Sequence, residues 1–224
     1  MQSSQWLKGG PFLEVSFLVE LKENKKQTIQ GIIDRLSTLA NRVEIIDVNI
    51  DEKIDEFERG YPYDEEDPES IILHFLELKL FVYLSGKRRA LLQIELVSSN
   101  SLMVNFIFYG DEEDAPEWDQ LGIKNEEYTG LTDFLKELYG IYNFKIGGIA
   151  MEENIISLFG CEKPYPSNCY RYENMTADYF LKEETPFARI IWNEKYKRLS
   201  DVPYKHHRFE KEGILIELCD FDVW

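Results

Sequence analysis

The sequence predicts an α+β fold: an antiparallel or mixed β-sheet carrying two main helices, closed by a C-terminal extension. Three observations predict it. Apolar residues alternate with polar ones over several runs of eight to twelve residues, the period of strands with one buried face. Two other stretches repeat their apolar residues at helical spacing. The strand candidates of the middle follow one another through short polar turns, as in an antiparallel meander.

"PFLEVSFLVEL" (11–21) is rich in β-branched and aromatic residues and polar at Glu14, Ser16 and Glu20, so it reads as a half-buried strand. After the turn "KENKK", Ile29, Ile32, Ile33, Leu36, Leu39 and Ala40 recur on one face, predicting an amphipathic helix over 28–40. "VEIIDVNI" (43–50) returns to a strand pattern. Residues 51–70, "DEKIDEFERGYPYDEEDPES", hold ten acidic and two basic side chains with Gly60, Pro62 and Pro68 as breakers, and are expected to be an exposed connection. Strands follow at 71–84, 88–99 and 101–110, joined by the turn compositions "SGKRR" and "SSNS". "LTDFLKELYGIY" (131–142) reads as the second helix, with Thr129 or Thr132 as its cap. "FKIGGIAMEEN" (144–154) is a short strand or turn in which Gly147 and Gly148 allow close backbone approach. Beyond about 160, "GCEKPYPSNCYRYEN" is irregular, and 186–196 and 213–221 look like strands. No linker or repeat divides the chain, so one domain spans 1–224, with a core unit over 1–155 and an extension over 156–224 packed on it.

Composition narrows the function. Of 224 residues 44% are hydrophobic, enough for a packed core rather than a disordered chain. Acidic side chains number 42 against 25 basic, a net charge of −17, which repels nucleic acid and anionic membranes and attracts a cationic partner. The first seventeen residues lack the apolar core of a secretory signal, and the apolar tract 71–84 is too short to span a bilayer as a helix, so a cytoplasmic location is expected. Cys161, Cys169 and Cys219 have no metal or redox spacing and are expected as reduced thiols.

The two acidic tracts are the main functional signal. Neither "DEEDPES" nor "GDEEDAPEWDQ" (110–120) has the alternating ligands and glycine of a calcium loop, and carboxylates this abundant on loops are poor candidates for a glycosidase pair. Two readings stay open: a solvated face, or a surface for a basic protein on which charge steers and an aromatic residue anchors. In the second, the contacts come from Tyr61, Tyr63, Asp64, Glu65, Glu66 and Asp67 on the first tract, and from Asp111, Glu112, Glu113, Asp114, Glu117, Trp118 and Asp119 on the second. His206 and His207 are adjacent, so a strand would turn them to opposite faces and away from a shared metal. His74 lies in an apolar strand as a core or sheet-face residue. No phosphate loop, nucleophile elbow or cysteine–histidine signature is present, and neither a metal, a cofactor nor catalysis is expected.

With these acidic loops, the "KIGGIAMEEN" segment and the closing "GILIEL" strand, the chain resembles the immunity proteins of bacterial polymorphic toxin systems. The resemblance implies a protein that binds and blocks a cognate toxin domain, often a basic nuclease, with its carboxylates standing in for phosphates and Trp118 or Tyr63 as the anchor. A hydrolase drawing on one acidic tract with His74 or sheet tyrosines, and a self-associating adaptor, are the competing classes.

Overall fold

The computed structural model describes residues 6–22, 24–67, 69–110, 121–181 and 185–219. Its centre is a sheet of nine antiparallel strands. β1 (Phe12–Glu20) lies in the middle, between β7 (Ser101–Tyr109) and β8 (Ile146–Met151). On one side β6 (Lys87–Ser98), β5 (Phe75–Tyr83) and β2 (Val43–Ile45) follow β7; on the other, β9 (Phe187–Asn193), β11 (Gly213–Glu217) and β10 (Lys205–Phe209) follow β8. The expected meander is β5–β6–β7, in continuous register from Phe75 opposite Glu95 to Ala90 opposite Phe108. The edge strand β10 reads Lys-His-His-Arg-Phe, a charged sequence that discourages pairing with another edge.

Alternation sends the two halves of each strand's side chains into two cores. Leu13, Val15 and Phe17 of β1 point to the first face with Leu78, Leu92 and Phe106, and all six are fully buried. Helices cover this face because each presents a matching apolar stripe. α1 (Lys25–Ser37) buries Ile29, Ile32, Ile33 and Leu36, and starts where the Asn24 side chain accepts from the Gln27 amide at 2.8 Å. α3 (Tyr128–Tyr142) buries Leu131, Phe134, Leu135 and Leu138.

A third helix, α2 (Ile50–Arg59), corrects the expectation of an exposed connection over 51–70 and of a strand reaching residue 50. Its acidic residues occupy the solvent side while Ile54 and Phe57, three apart, are buried against the sheet; charge density hid a two-residue apolar stripe. Gly60, at φ 68°, ends it, and a Cβ there would stand 2.5 Å from Ile72 Cγ2 and 2.6 Å from the Leu73 carbonyl. Neither Thr129 nor Thr132 caps α3. A 3₁₀ turn over Asn125–Glu127 precedes the helix, and the Thr132 hydroxyl bonds back to the Tyr128 carbonyl. The Glu127 carboxylate, fully buried, takes two bonds from Arg88 and one from Ser85, tying the start of α3 to β6.

The second face is covered beside β1 and β8 by an irregular layer over 155–181 of 3₁₀ turns and one short helix, α4 (Asp178–Leu181), burying Leu158, Phe159, Tyr170, Phe180 and Trp192. Here Cys161 and Cys169 form a disulfide, their Cα atoms 6.4 Å apart, against the expectation of reduced thiols. Spacing alone did not carry that geometry. The thiols therefore lend no support to a reducing compartment. No helix among the described residues is long and apolar enough to cross a membrane.

Candidate functional site

Gly60 lets the chain leave α2 directly into a small hairpin, β3 (Tyr61–Pro62) and β4 (Ile72–Leu73), standing at the margin of the main sheet. Tyr61 pairs with Leu73 and Pro62 with Ile72, and the Tyr63 amide bonds the Ile71 carbonyl at 2.8 Å. Alternation therefore puts Tyr61, Tyr63 and Ile71 on one face of the hairpin. That face is open: Tyr63 is 76% exposed, and Tyr61 and Ile71 are about two-fifths exposed.

The loop closing the hairpin is the acidic stretch 64–70. Its carboxylates divide into two kinds. Asp64 and Asp67 each accept from the backbone amide two residues on, Glu66 and Glu69, at 2.9 Å, holding the turn. Glu65 and Glu66 are exposed, with no such duty. The predicted residues Tyr61, Tyr63, Asp64, Glu65, Glu66 and Asp67 are thus brought together on one projecting hairpin, with α2 adding exposed Asp55, Glu56 and Glu58 next in the chain. Asp111, Glu112, Glu113, Asp114, Glu117, Trp118 and Asp119 lie outside the described residues.

A second polar group, on the second face of the sheet, was missed in the sequence. Glu14 on β1, Asn105 on β7 and Glu95 on β6 stand on one diagonal, because Glu14 faces Ile107, Asn105 faces Gln93 and Met103 faces Glu95. Asn105, 1% exposed, donates its amide to Glu14, while its Oδ1 is buried without a partner. Burial raises the pKa of Glu14, offset in part by Asn105 and Asn154. Burial lifts Glu95 further, to about 7, the nearby Tyr165 hydroxyl offsetting it. Tyr165 comes from the disulfide loop; burial first, then the Glu95 charge, raises its own pKa. Tyr61 of the hairpin is also raised, by burial and then by Glu95, so the hairpin borders this group. The available signal was a polar residue at alternate positions within apolar strands, which periodicity assigns to solvent.

The remaining candidates are structurally satisfied. His74 is buried as a core residue, in the break between β4 and β5 rather than within the expected strand, with Nδ1 2.8 Å from the Phe57 carbonyl and Nε2 2.9 Å from Lys25 Nζ; burial lowers its pKa. His206 and His207 are exposed on β10. Among the described residues no group of three His, Cys, Asp or Glu is placed to hold a metal. A cleft of about 280 Å³ between α1 and the irregular layer is lined by Gln27, Arg35, Tyr172 and Tyr196. Beside it Lys145 is buried, donates to the Tyr172 carbonyl at 2.7 Å and lies about 5 Å from the rings of Tyr172 and Tyr196, and burial lowers its pKa.

Comparison of the chain with protein-family models, with curated proteins and with solved structures finds no match.

Proposed function

We propose that the chain is a protein-binding inhibitor acting in the cytoplasm, an immunity protein that neutralises a basic toxin domain such as a nuclease. One observation carries this reading: exposed Tyr61, Tyr63 and Ile71 share one face of a hairpin whose tip holds Asp64, Glu65, Glu66 and Asp67. Aromatic side chains bring large contact area at low entropic cost, and the carboxylates around them draw in a cationic surface. A merely solvated acidic turn has no need of a tyrosine 76% exposed beside an exposed isoleucine. The net charge of −17 extends the same attraction over the whole molecule.

In the proposed mechanism Glu65 and Glu66 occupy positions that phosphates of a nucleic acid would take in the toxin's groove, and Tyr63 is buried on contact. The turn held by Asp64 and Asp67 fixes their spacing. The test is capture from lysate of the source cells by the tagged protein, beside a Tyr63→Ser, Glu65→Lys, Glu66→Lys variant. The wild type is expected to retain one stoichiometric basic toxin domain at about 0.1 M salt and to release it near 1 M, where the Debye length falls from about 10 Å to about 3 Å. The variant is expected to lose at least about tenfold in retention. Equal retention of that domain by both proteins at both salt concentrations overturns the reading.

A further inference from the structure

We propose that the second face of the sheet carries a binding site for the guanidinium group of a partner's arginine, built on Asn105 and Glu95 and bordered by Tyr61 and Tyr165. The inference deepens the proposed function, since a basic protein partner is the source of the arginine.

The geometry begins with register. Asn105 sits midway on the diagonal from Glu14 to Glu95, and diagonal neighbours on adjacent strands are about 7–8 Å apart. The Asn105 amide is spent on Glu14. Oxygen and nitrogen of a planar amide diverge, so with its nitrogen bonded to Glu14 the carbonyl oxygen is turned to another side. Glu14 is thus a positioning residue, because a carboxylate acceptor on one side keeps the amide nitrogen there. A buried acceptor without a partner costs on the order of 1–3 kcal/mol, and a ligand that donates to it recovers that cost. Gln93, opposite Asn105, donates its own amide to Glu77 at 3.2 Å, which leaves its carbonyl oxygen as a further acceptor.

What the site lacks is therefore a donor with positive charge and more than one N–H. A guanidinium offers five donors in a planar fork, reaching a carbonyl and a carboxylate together, and stacks on aromatic faces. Tyr165 and Tyr61 are its aromatic neighbours, each close enough for the Glu95 charge to raise its pKa. Lys79, the cation on the same face of β5, stands in the row of Glu14 and three strand spacings away from it, about 14 Å, and among the described residues it makes no ion pair. Asn105 is buried beside half-buried Gln93 and Glu95, so binding as proposed requires these two long, unbranched side chains to change rotamer.

The test is a nuclear magnetic resonance titration of the full chain with three probes: N-acetyl-arginine methylamide, its neutral isostere N-acetyl-citrulline methylamide, and agmatine. Saturable shifts of the Asn105 and Gln93 side-chain amides with the arginine probe, and none with the citrulline probe, are expected. Glu95→Gln is expected to weaken the arginine probe by about tenfold. Asn105→Leu, which removes the unsatisfied acceptor and also the donor to Glu14, is expected to abolish binding in a protein whose backbone amide spectrum is still that of the folded chain. Absence of a saturable shift, equal shifts with citrulline, or unchanged affinity in a folded Glu95→Gln protein overturns the site, leaving an ordered water as the occupant. Agmatine binding more than about tenfold tighter overturns the protein source in favour of a free guanidinium compound. The titration needs no partner, so its failure and a failure of the hairpin in the capture experiment are separate results.

Discussion

Glu95 is a carboxyl group held near neutrality, with a pKa raised from 4.5 to about 7 by burial beside Tyr165. Because the folded state holds its proton more tightly, this group favours folding most below about pH 4.5, and that contribution is lost as pH rises to about 7. Glu14, also raised by burial, acts in the same direction. Glu95→Gln is expected to match the wild type near pH 4.5 and to exceed its stability at about pH 8 by on the order of 2 kcal/mol in urea unfolding. A variant no more stable than the wild type at about pH 8 contradicts the burial assigned here. At this scale the sequence was only half legible. "LLQIELVSS" shows that Gln93 and Glu95 share a face, but whether that face meets water or Tyr165 depends on a loop seventy residues away in the chain. The exposed tyrosines of "GYPYDEED" were legible, since breakers and charge on both sides leave them nowhere to pack.

Elements were read well where their apolar period was long. α1 and α3 carry four or more buried residues each, and the strands β1, β6 and β7 fall close to their expected bounds, whereas the strand expected over 71–84 is broken at His74 into β4 of the hairpin and β5 of the main sheet. α2 escaped because its buried stripe is Ile54 and Phe57 alone, and β10 because nothing in "KHHRF" is apolar until its end. The disulfide was invisible for a different reason: pairing depends on Cα separation, which the spacing of two cysteines in the chain does not give. α2 is what fixes the hairpin, through Gly60 and through the Phe57 carbonyl that bonds His74 at the end of β4. Phe57→Ala is expected to cost about 3–5 kcal/mol, and to lower amide-exchange protection over 61–73 more than over β6 and β7. Uniform loss of protection across the sheet is the result that contradicts this linkage.

For the whole molecule, α1, α2 and α3 cover the first face of the sheet and the irregular layer covers the second beside β1 and β8, while the acidic hairpin stands outside both cores. A scaffold of this kind presents the hairpin as a preformed projection, so association gains from charge without ordering a long segment. On the proposed function, long-range attraction from a charge of −17 draws a basic partner toward the whole surface, and the contact itself is assigned to the hairpin. Cross-linking tests that assignment most directly. A photoreactive benzoylphenylalanine replaces Tyr63 in one protein and, in a control, replaces Tyr196, which is 43% exposed outside the hairpin. Illumination in lysate of the source cells at low salt is predicted to join position 63, and not position 196, to a basic toxin domain. Cross-links to that domain from position 196 with none from position 63 contradict the hairpin as the binding surface.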